Sequence, residues 1–218
     1  MDERATRRPL VAVAVVIFTV RDGSLEVLLI KRSAEPEKGK WALPGGLLLE
    51  GEGFDQAASR KLLEETGVND VYLEQLYTFA DLDPQAPEGS VAVSYFALVD
   101  AAAARLAHRE EWLPAWRRLD DRPELAFAND EVLDYAVERL RSKLQYSNVA
   151  YSLMPREFTL GQLQRVYESI IGRPLDKRNF RKKVVSLGIV EGTGGVKTEG
   201  AHRPARLYRF VRRQPVTF

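Results

Sequence analysis

The feature of this sequence that most constrains its fold is a segment of fixed spacing between residues 46 and 68. It combines two glycines with charged residues at set intervals, namely Gly46, Glu52, the run Arg60-Lys61-Leu62-Leu63-Glu64-Glu65, and Gly67-Val68. Residues 55–65 predict a helix, and a glycine such as Gly67 is typical of a helix end. Because residues three and four apart share one face of a helix, positions 61, 64 and 65 lie together. The segment therefore predicts a loop and then a helix with charged side chains on one side.

This segment resembles the Nudix hydrolase box, G-x5-E-x7-R-E-U-x-E-E-x-G-U, in which U is an apolar residue. Eight of the nine specified positions match, and the resemblance covers residues 10–146, including Trp41-Ala42-Leu43-Pro44-Gly45-Gly46 ahead of the box. The resemblance implies the Nudix fold, an α+β fold in which a mixed β-sheet lies between helices. Members of the family cleave diphosphates linked to a nucleoside, using Mg²⁺ or Mn²⁺. A nucleotide diphosphate site at the box is therefore implied.

The position that departs from the box is Lys61, where the family has the first of three glutamates. Divalent cations of this kind require several carboxylate oxygens close together, and a lysine in place of a glutamate changes the charge by two units. Lys61 can pair with Glu65 and occupy the place of the cation; alternatively, its side chain points into solvent and the remaining acids still bind metal. We expect metal binding at Glu64 and Glu65 to be weak or lost. No cofactor would then be required, with Mg²⁺ or Mn²⁺ bound only if the box is still competent.

The rest of the box supplies candidates for holding a nucleotide without consuming it. We expect no catalytic residue, although Glu52, Arg60, Glu64 and Glu65 remain, with Glu52 and Arg60 as the pair that orients the box. The candidate ligand-binding residues are Arg32, Arg60, Glu64, Glu65 and Phe79. Arg32, at the end of an early predicted strand, is a candidate for a phosphate contact. Phe79, after a later strand, is a candidate to stack on a base, and core packing is the alternative.

The charge of the chain is divided between its two parts. Residues 150–218 contain 14 Lys and Arg against 5 Asp and Glu, a net charge of +9, whereas residues 1–149 carry a net charge of −8. This division indicates that only the C-terminal part meets a polyanion. The alternative is that the two parts attract each other. The chain has no cysteine, which excludes disulfides and thiolate metal sites.

The basic part carries the signals of two short helices joined by a tight turn. Thr159 and Gln162 form a capping box at the start of the first helix, and Gly172 ends it. The apolar face of this helix consists of Leu160, Leu163, Val166, Tyr167 and Ile170. A second helix begins at Asp176 and ends at Gly188, and residues 189–191 and 207–211 follow as two apolar segments around a glycine-rich stretch. The pattern predicts a helix-turn-helix followed by a two-stranded wing.

The second helix is the element that would enter the major groove of DNA. Its polar side chains are Lys177, Arg178, Asn179, Arg181 and Lys182. Arginine can make bidentate contacts to guanine, and asparagine to adenine. The predicted wing adds four candidates for the phosphates or the minor groove, namely Lys197, His202, Arg203 and Arg206. A solvated charged face is the alternative, but the motif and the net charge together favour DNA binding.

The two parts in this order are similar to the Nudix-related transcriptional regulators of bacteria, the NrtR-like family, over nearly the whole chain. The segments that carry the similarity beyond the box are FTLGQLQRVYESIIGRPLDKRNFRKKV and GAHRPARLYRF. We predict a nucleotide-sensing domain over residues 1–148 and a winged helix-turn-helix domain over residues 149–218. The resemblance implies a homodimer that represses genes of NAD metabolism by binding an inverted repeat in double-stranded DNA. It also implies ADP-ribose or a related nucleotide as effector.

Two other functions stay open at this point. One is an active ADP-ribose-type Nudix pyrophosphatase with an accessory basic domain, and the other is an inactive interaction module whose acidic and basic parts dock on each other. The longest apolar run, Leu10–Val20, is too short to span a bilayer. We therefore expect no association with a membrane and a cytoplasmic location.

Overall fold

The computed structural model describes residues 9–69, 71–80, 89–100, 102–106, 112–198 and 204–218, with Trp112 described by its backbone alone. Helices and strands follow one another as β1 (Leu10–Arg21), β2 (Ser24–Arg32), β3 (Trp41–Ala42), β4 (Gly45–Leu47), α1 (Phe54–Thr66), β5 (Tyr72–Ala80), β6 (Ser90–Leu98), β7 (Trp112–Arg118), α2 (Asn129–Lys143), β8 (Phe158–Thr159), α3 (Leu160–Ile171), α4 (Lys177–Ser186), β9 (Val190–Lys197) and β10 (Ala205–Phe210). Short 3-10 helices span Leu119–Asp121 and Val149–Leu153. No helix within these described ranges is long and apolar enough to cross a membrane.

The first seven strands form one mixed sheet, as predicted. β1 pairs antiparallel with β2 through the turn at Asp22-Gly23 and parallel with β6, so that both pairing modes meet at β1. β5 pairs with β6 at one edge, and β3 and β7 both pair with β2. β4 pairs with β1, where a Cβ on Gly45 would stand 2.5 Å from the carbonyl oxygen of Val13. Only a glycine fits this approach, so the loop ahead of α1 is fixed against the sheet.

The sheet lies between α1 and α2, which also agrees with the prediction. Alternate residues of a strand point to opposite faces of a sheet, and β1 is buried on both faces. Val13, Val15 and Ile17 pack in the cluster that contains the apolar side of α1. Val16 and Phe18 pack in the other cluster, with the apolar side of α2. This arrangement places the box, which spans the loop and α1, on one face of the sheet.

The C-terminal part forms the predicted helix-turn-helix and wing. Thr159 caps α3 by accepting a hydrogen bond from the backbone N–H of Gln162, whose side chain accepts one from the backbone N–H of Thr159. Gly172 ends α3 in the left-handed conformation, with φ of 77°, and Asp176 caps α4. The predicted apolar face of α3 is buried in full. The wing is the antiparallel pair of β9 and β10, and β8 adds a third strand beside β10.

The segment that joins the two parts is packed and not an exposed tether. Residues 149–153 are buried, and one hydrophobic cluster includes side chains of β1, α2, α3 and α4. Arg141 of α2 donates a hydrogen bond of 2.9 Å to the carbonyl oxygen of Ile170 at the end of α3. The predicted boundary at residue 148 therefore falls where the two parts share a core, so that a change in one part is transmitted to the other by contact.

Asn148 holds the C-terminal segment against this junction. Its Nδ2 donates to the carbonyl oxygens of Arg212 (3.1 Å) and Gln214 (3.0 Å), and its Oδ1 accepts from the N–H of Val216 (2.8 Å). The side chain is buried. Backbone polar groups that lose their partners in such a place are costly.

We therefore expect Asn148→Ala to lower the free energy of unfolding by roughly 3 kcal/mol, measured by urea denaturation. Asn69→Ala is the control, because Asn69 is exposed and a surface substitution changes stability by less than about 0.5 kcal/mol. Equal stability of the two variants would show that the contacts of Asn148 do not hold the junction.

Candidate functional site

The box forms a network of ion pairs on α1 and the loop before it. Arg60 donates to both oxygens of Glu52, at 2.7 Å from Nε and 2.8 Å from Nη2, in a bidentate pair. Glu52 also accepts a hydrogen bond of 3.1 Å from the backbone N–H of Leu49. Glu64 accepts from Arg60 at 3.3 Å. Glu52 and Arg60 thus tie the loop to the helix, which is the orienting arrangement expected from the sequence.

Lys61 lies inside this network, and its side chain does not point into solvent. The side chain is 11% exposed, and its Nζ is 3.0 Å from Oε2 of Glu64. On the other side, Cε and Nζ lie 3.3 and 3.7 Å from the place where a Cβ on Gly46 would stand. The ammonium group therefore lies between a box carboxylate and the glycine loop.

The electrostatics of the box keep its carboxylates ionised. The pKa of Glu52 is lowered to about 2, chiefly by the hydrogen bonds from Arg60 and then by the one from the Leu49 N–H. Burial raises the pKa of Glu64, but the hydrogen bonds and charges of Lys61 and Arg60 outweigh it and the net shift is downward. Both carboxylates are anionic at neutral pH and already have cationic partners.

This arrangement does not fit the divalent cation that the Nudix family uses. Such a cation requires several acidic oxygens that converge on one point, whereas here an ammonium group lies among the box residues. Among the residues that the structure describes, no group of three or more His, Cys, Asp or Glu could hold a metal ion. The positive charge beside Glu64 is therefore that of the Lys61 side chain, where the family has a metal ion.

A cleft lies beside the box, formed by two adjoining cavities of about 250 and 450 Å³. Arg32 and Gly45 line both, Gly46 and Phe127 line the smaller, and Glu65 lines the larger. The guanidinium group of Arg32 stacks on the ring of Phe127 at 4.7 Å. Its Nε donates to the carbonyl oxygen of Pro36 at 3.0 Å. A held arginine at a cleft of this size suits the phosphates of a nucleotide.

The second helix of the helix-turn-helix, α4, presents a basic face to solvent. Its apolar residues Phe180 and Val184 are buried against α3. All five predicted polar residues of this helix, from Lys177 to Lys182, are exposed, and so is Lys183. The basic side chains of α4 are therefore not used to dock the acidic part of the chain, contrary to the interaction-module hypothesis.

Comparison with known proteins agrees with both parts. The model of the NUDIX domain matches residues 9–136, and the model of the NrtR DNA-binding winged helix domain matches residues 150–210. A relative from Acinetobacter baylyi, described as an ADPR responsive transcriptional repressor NtrR, is 41% identical over 209 residues, which cover 93% of this chain and 82% of the relative. The chain belongs to the NrtR family of Nudix-related transcriptional regulators.

Two crystal structures of a family member from Shewanella oneidensis are similar to this chain. NrtR complexed with a 27mer DNA has a TM-score of 0.82 at 37% identity, and the match covers 92% of this chain and 93% of that one. The NUDIX domain of the same protein complexed with ADP ribose has a TM-score of 0.56 at 36% identity, over 64% of this chain and 94% of that one. The fold and the order of the two parts are thus those of the NrtR family.

Within this NrtR-family fold, the predicted ligand-binding residues separate into three groups. Arg32 and Glu65 line the cleft, whereas Arg60 and Glu64 are engaged in the ion pairs of the box and line neither cavity. Phe79 is 7% exposed and packs edge-on against Tyr77 and Tyr135. Core packing therefore describes Phe79, and the prediction that it stacks on a base is not supported, because its ring packs against aromatic side chains of β5 and α2 and lines neither cavity.

The aromatic residue at the cleft is Phe127, which the sequence pattern did not indicate. Phe127 lines the cleft and stacks on Arg32. Its backbone φ is 58°, which is uncommon for a bulky residue. The turn is held in place because Asn129 accepts a hydrogen bond of 2.8 Å from the N–H of Leu43. Since the conformation depends on this tertiary contact, no local signal in the sequence could have indicated it.

The wing residues are described in part. Arg206 is exposed on β10 and Lys197 is half-buried at the end of β9. His202 and Arg203, also predicted to contact DNA, lie outside the described residues. On α4, the side chain of Val185 is 51% exposed. It follows Arg178, Arg181 and Lys182 by seven, four and three residues and therefore lies on the same face of the helix. An exposed apolar side chain there suits the methyl group of thymine, and the charge pattern of the sequence does not indicate it.

Proposed function

We propose that this chain is a transcriptional repressor that binds an inverted repeat in double-stranded DNA as a homodimer and responds to ADP-ribose. The observation that carries the proposal is the exposed basic face of α4, and a second feature supports it, namely Lys61 in the position of a metal-binding glutamate of the Nudix box. The first feature supplies a reader of DNA, and the second suits a domain that keeps its nucleotide intact. The genes it regulates would be those of NAD metabolism, and it would act in the cytoplasm.

The DNA-binding half of the proposal rests on geometry and charge. α4 is ten residues long, is capped at its N-terminus and exposes polar side chains of the types that read base edges. A single helix of this kind reads only a few base pairs, so useful specificity requires two copies. The Shewanella relative has been crystallised with a 27mer DNA, which is long enough for two half-sites about 10 bp apart.

The effector half rests on the cleft between Arg32, Phe127 and the box. Taken together, the two adjoining cavities of about 250 and 450 Å³ are within the size range of small-molecule sites, and Arg32 lines both of them. The NUDIX domain of the Shewanella relative has been crystallised with ADP ribose, and the Acinetobacter relative is described as responsive to ADPR. The same nucleotide is therefore the effector proposed for this chain.

The two halves are coupled because they share a core. Nucleotide at the cleft acts on the sheet and α2, and Arg141 of α2 is bonded directly to the end of α3. In a dimer, a shift of a few ångströms in the spacing of the two α4 helices prevents both from engaging the DNA together, and the gain from bivalent binding is lost. ADP-ribose is therefore expected to release DNA.

The experiment that tests this function is the selection of bound sequences from random duplex DNA by the full chain, with and without ADP-ribose. We expect an inverted repeat with half-sites about one helical turn apart, or a multiple of this, that is depleted when ADP-ribose is present. A pool that stays random, or a selected sequence without two-fold symmetry, would contradict the proposed dimeric reader.

A further inference from the structure

A further cavity, the junction cavity, lies between the turn at Gly23 and the end of α3 at Gly172. Its volume is about 580 Å³, which is within the size range of small-molecule sites. The Nudix part lines it with the turn between β1 and β2, the end of β7, the 3-10 helix that follows and α2, and the winged-helix part lines it with α3. It shares no lining residue with the cleft. A ligand in this cavity would therefore contact both parts of the chain at once.

Three arginines from three different elements line the junction cavity. They are Arg118 at the end of β7, Arg141 on α2 and Arg165 on α3. Two carboxylates, Asp120 and Glu168, also line it, so that the net charge of the lining side chains is +1. The lining of this cavity therefore favours an anionic ligand.

Both carboxylates of the junction cavity already have hydrogen-bond donors. Asp120 accepts from Nε and Nη2 of Arg118, at 3.0 and 2.7 Å. Glu168 accepts from the backbone N–H of Leu175 at 2.8 Å and from the side chain of Gln164 at 2.9 Å. The two acids are thus held by groups other than the arginines of α2 and α3, whose charge is left for a ligand.

The arginines of α2 and α3 keep N–H groups for such a ligand. Arg141 is held by one bond, in which its Nε donates to the carbonyl oxygen of Ile170 at 2.9 Å. Within the described part of the chain, neither the terminal amino groups of Arg141 nor the guanidinium group of Arg165 has a hydrogen-bond partner. The bond to Ile170 also satisfies a carbonyl at the C-terminal end of α3, where the helix dipole disfavours an anion. Guanidinium groups with unused donors suit a phosphate group.

We propose that the junction cavity binds a small phosphorylated molecule, with Arg141 and Arg165 as the donors to its phosphate group. The side chains of Leu25 and Leu119 give the cavity an apolar wall, which a phosphate ester covers and free phosphate does not. The ligand holds the two parts of the chain in one relative position, because it contacts both, and it stabilises that arrangement by mass action. The site goes beyond the proposed function, since it uses no residue of the effector cleft.

The test is calorimetry of AMP with the full chain, at physiological ionic strength so that contacts between exposed charges are screened. All variants carry Arg32→Ala, which weakens binding of the probe at the cleft. We expect AMP to bind to this background. Arg165→Met, which removes the charge, should raise the Kd for AMP at least about tenfold, because a charge-assisted contact to phosphate is lost. Inorganic phosphate should bind more weakly than AMP, because it leaves the apolar wall uncovered.

Arg173→Met is the matched control. Arg173 is an exposed arginine just after α3, like Arg165 in charge and exposure, but it does not line the junction cavity. This variant should bind AMP like the Arg32→Ala background. Because Arg165 is exposed, Arg165→Met should leave the midpoint of thermal unfolding without AMP unchanged, which verifies that the variant folds.

Four results would overturn the inference. They are no binding of AMP, full affinity for AMP in Arg165→Met, an equal loss in Arg173→Met, and binding of inorganic phosphate as tight as that of AMP. Weaker DNA binding by Arg165→Met with full affinity for AMP would assign this arginine to the DNA backbone instead. All of these leave the proposed function intact, since the selection of DNA with and without ADP-ribose tests that function separately.

Discussion

Replacing Arg178 or Arg181 with alanine is expected to remove most of the sequence-specific affinity for DNA. Each arginine is exposed on α4 and can form a bidentate pair with a guanine, worth about 1–3 kcal/mol. Because a two-fold dimer carries every residue twice, the loss per dimer is about 2–6 kcal/mol, or at least roughly 30-fold in Kd. The measurement is a titration of the selected duplex by fluorescence anisotropy. Specificity should relax at one defined base pair in each half-site.

Two variants give this experiment its controls. Lys182→Ala, on the same face of α4, is expected to weaken binding to all DNA sequences alike. It should also reduce the dependence of the affinity on salt concentration, as expected for a phosphate contact. Arg105→Ala removes an exposed arginine of the Nudix part and should change nothing. If Arg178→Ala and Arg181→Ala both bind as tightly and as selectively as wild type, α4 is not the reader and the wing becomes the better candidate.

Hydrolysis of ADP-ribose by this chain is expected to be at least about a thousandfold below the ordinary enzyme range of 1–10³ s⁻¹. The physical reason is Lys61: its ammonium group is 3.0 Å from Glu64 and opposes a divalent cation there. A metal ion in such a reaction contributes several kcal/mol of transition-state stabilisation, and every 1.4 kcal/mol is a factor of ten in rate. Release of AMP, followed by chromatography with Mg²⁺ or Mn²⁺ present, measures the turnover.

Lys61→Glu separates loss of metal from other changes in the site. We expect this variant to gain Mn²⁺ binding but not the full rate, because two of the three other box carboxylates, Glu52 and Glu64, are engaged by Arg60. Turnover near 1 s⁻¹ by the wild-type chain would refute the account of the box and favour the pyrophosphatase hypothesis.

The elements that the sequence predicted well are those fixed by local chemistry. The capping box of Thr159 and Gln162 and the glycine at position 172 define α3 by contacts within a few residues. The same is true of Gly67, which ends α1 in the left-handed conformation with φ of 66°. The pair of Glu52 and Arg60 also forms as expected, because Glu52 lies in the loop directly before α1 and Arg60 lies on that helix.

The features that could not be predicted depend on contacts between distant parts of the chain. Phe79 is buried because it packs on Tyr135 of α2, whereas the half-buried Phe127 lines the cleft because the bond between Asn129 and Leu43 holds the turn before α2. Likewise, residues 149–153 form a 3-10 helix whose apolar side chains are buried in the core that the two parts share. Neither the alternation of apolar residues nor the local turn signals carry such information.

The central claim is that nucleotide at the Nudix cleft controls DNA binding by α4. The most direct measurement is the titration of ADP-ribose into the complex of the full chain with the selected duplex, followed by fluorescence anisotropy, with Arg32→Ala as the matched variant. The account predicts that saturating ADP-ribose raises the Kd for DNA at least tenfold in wild type. It also predicts that Arg32→Ala binds DNA as well as wild type does, since Arg32 is remote in sequence from α4. The Kd of this variant for DNA should not change when ADP-ribose is added, because Arg32 lines the cleft. An unchanged Kd for DNA under conditions in which calorimetry shows that ADP-ribose is bound would contradict it.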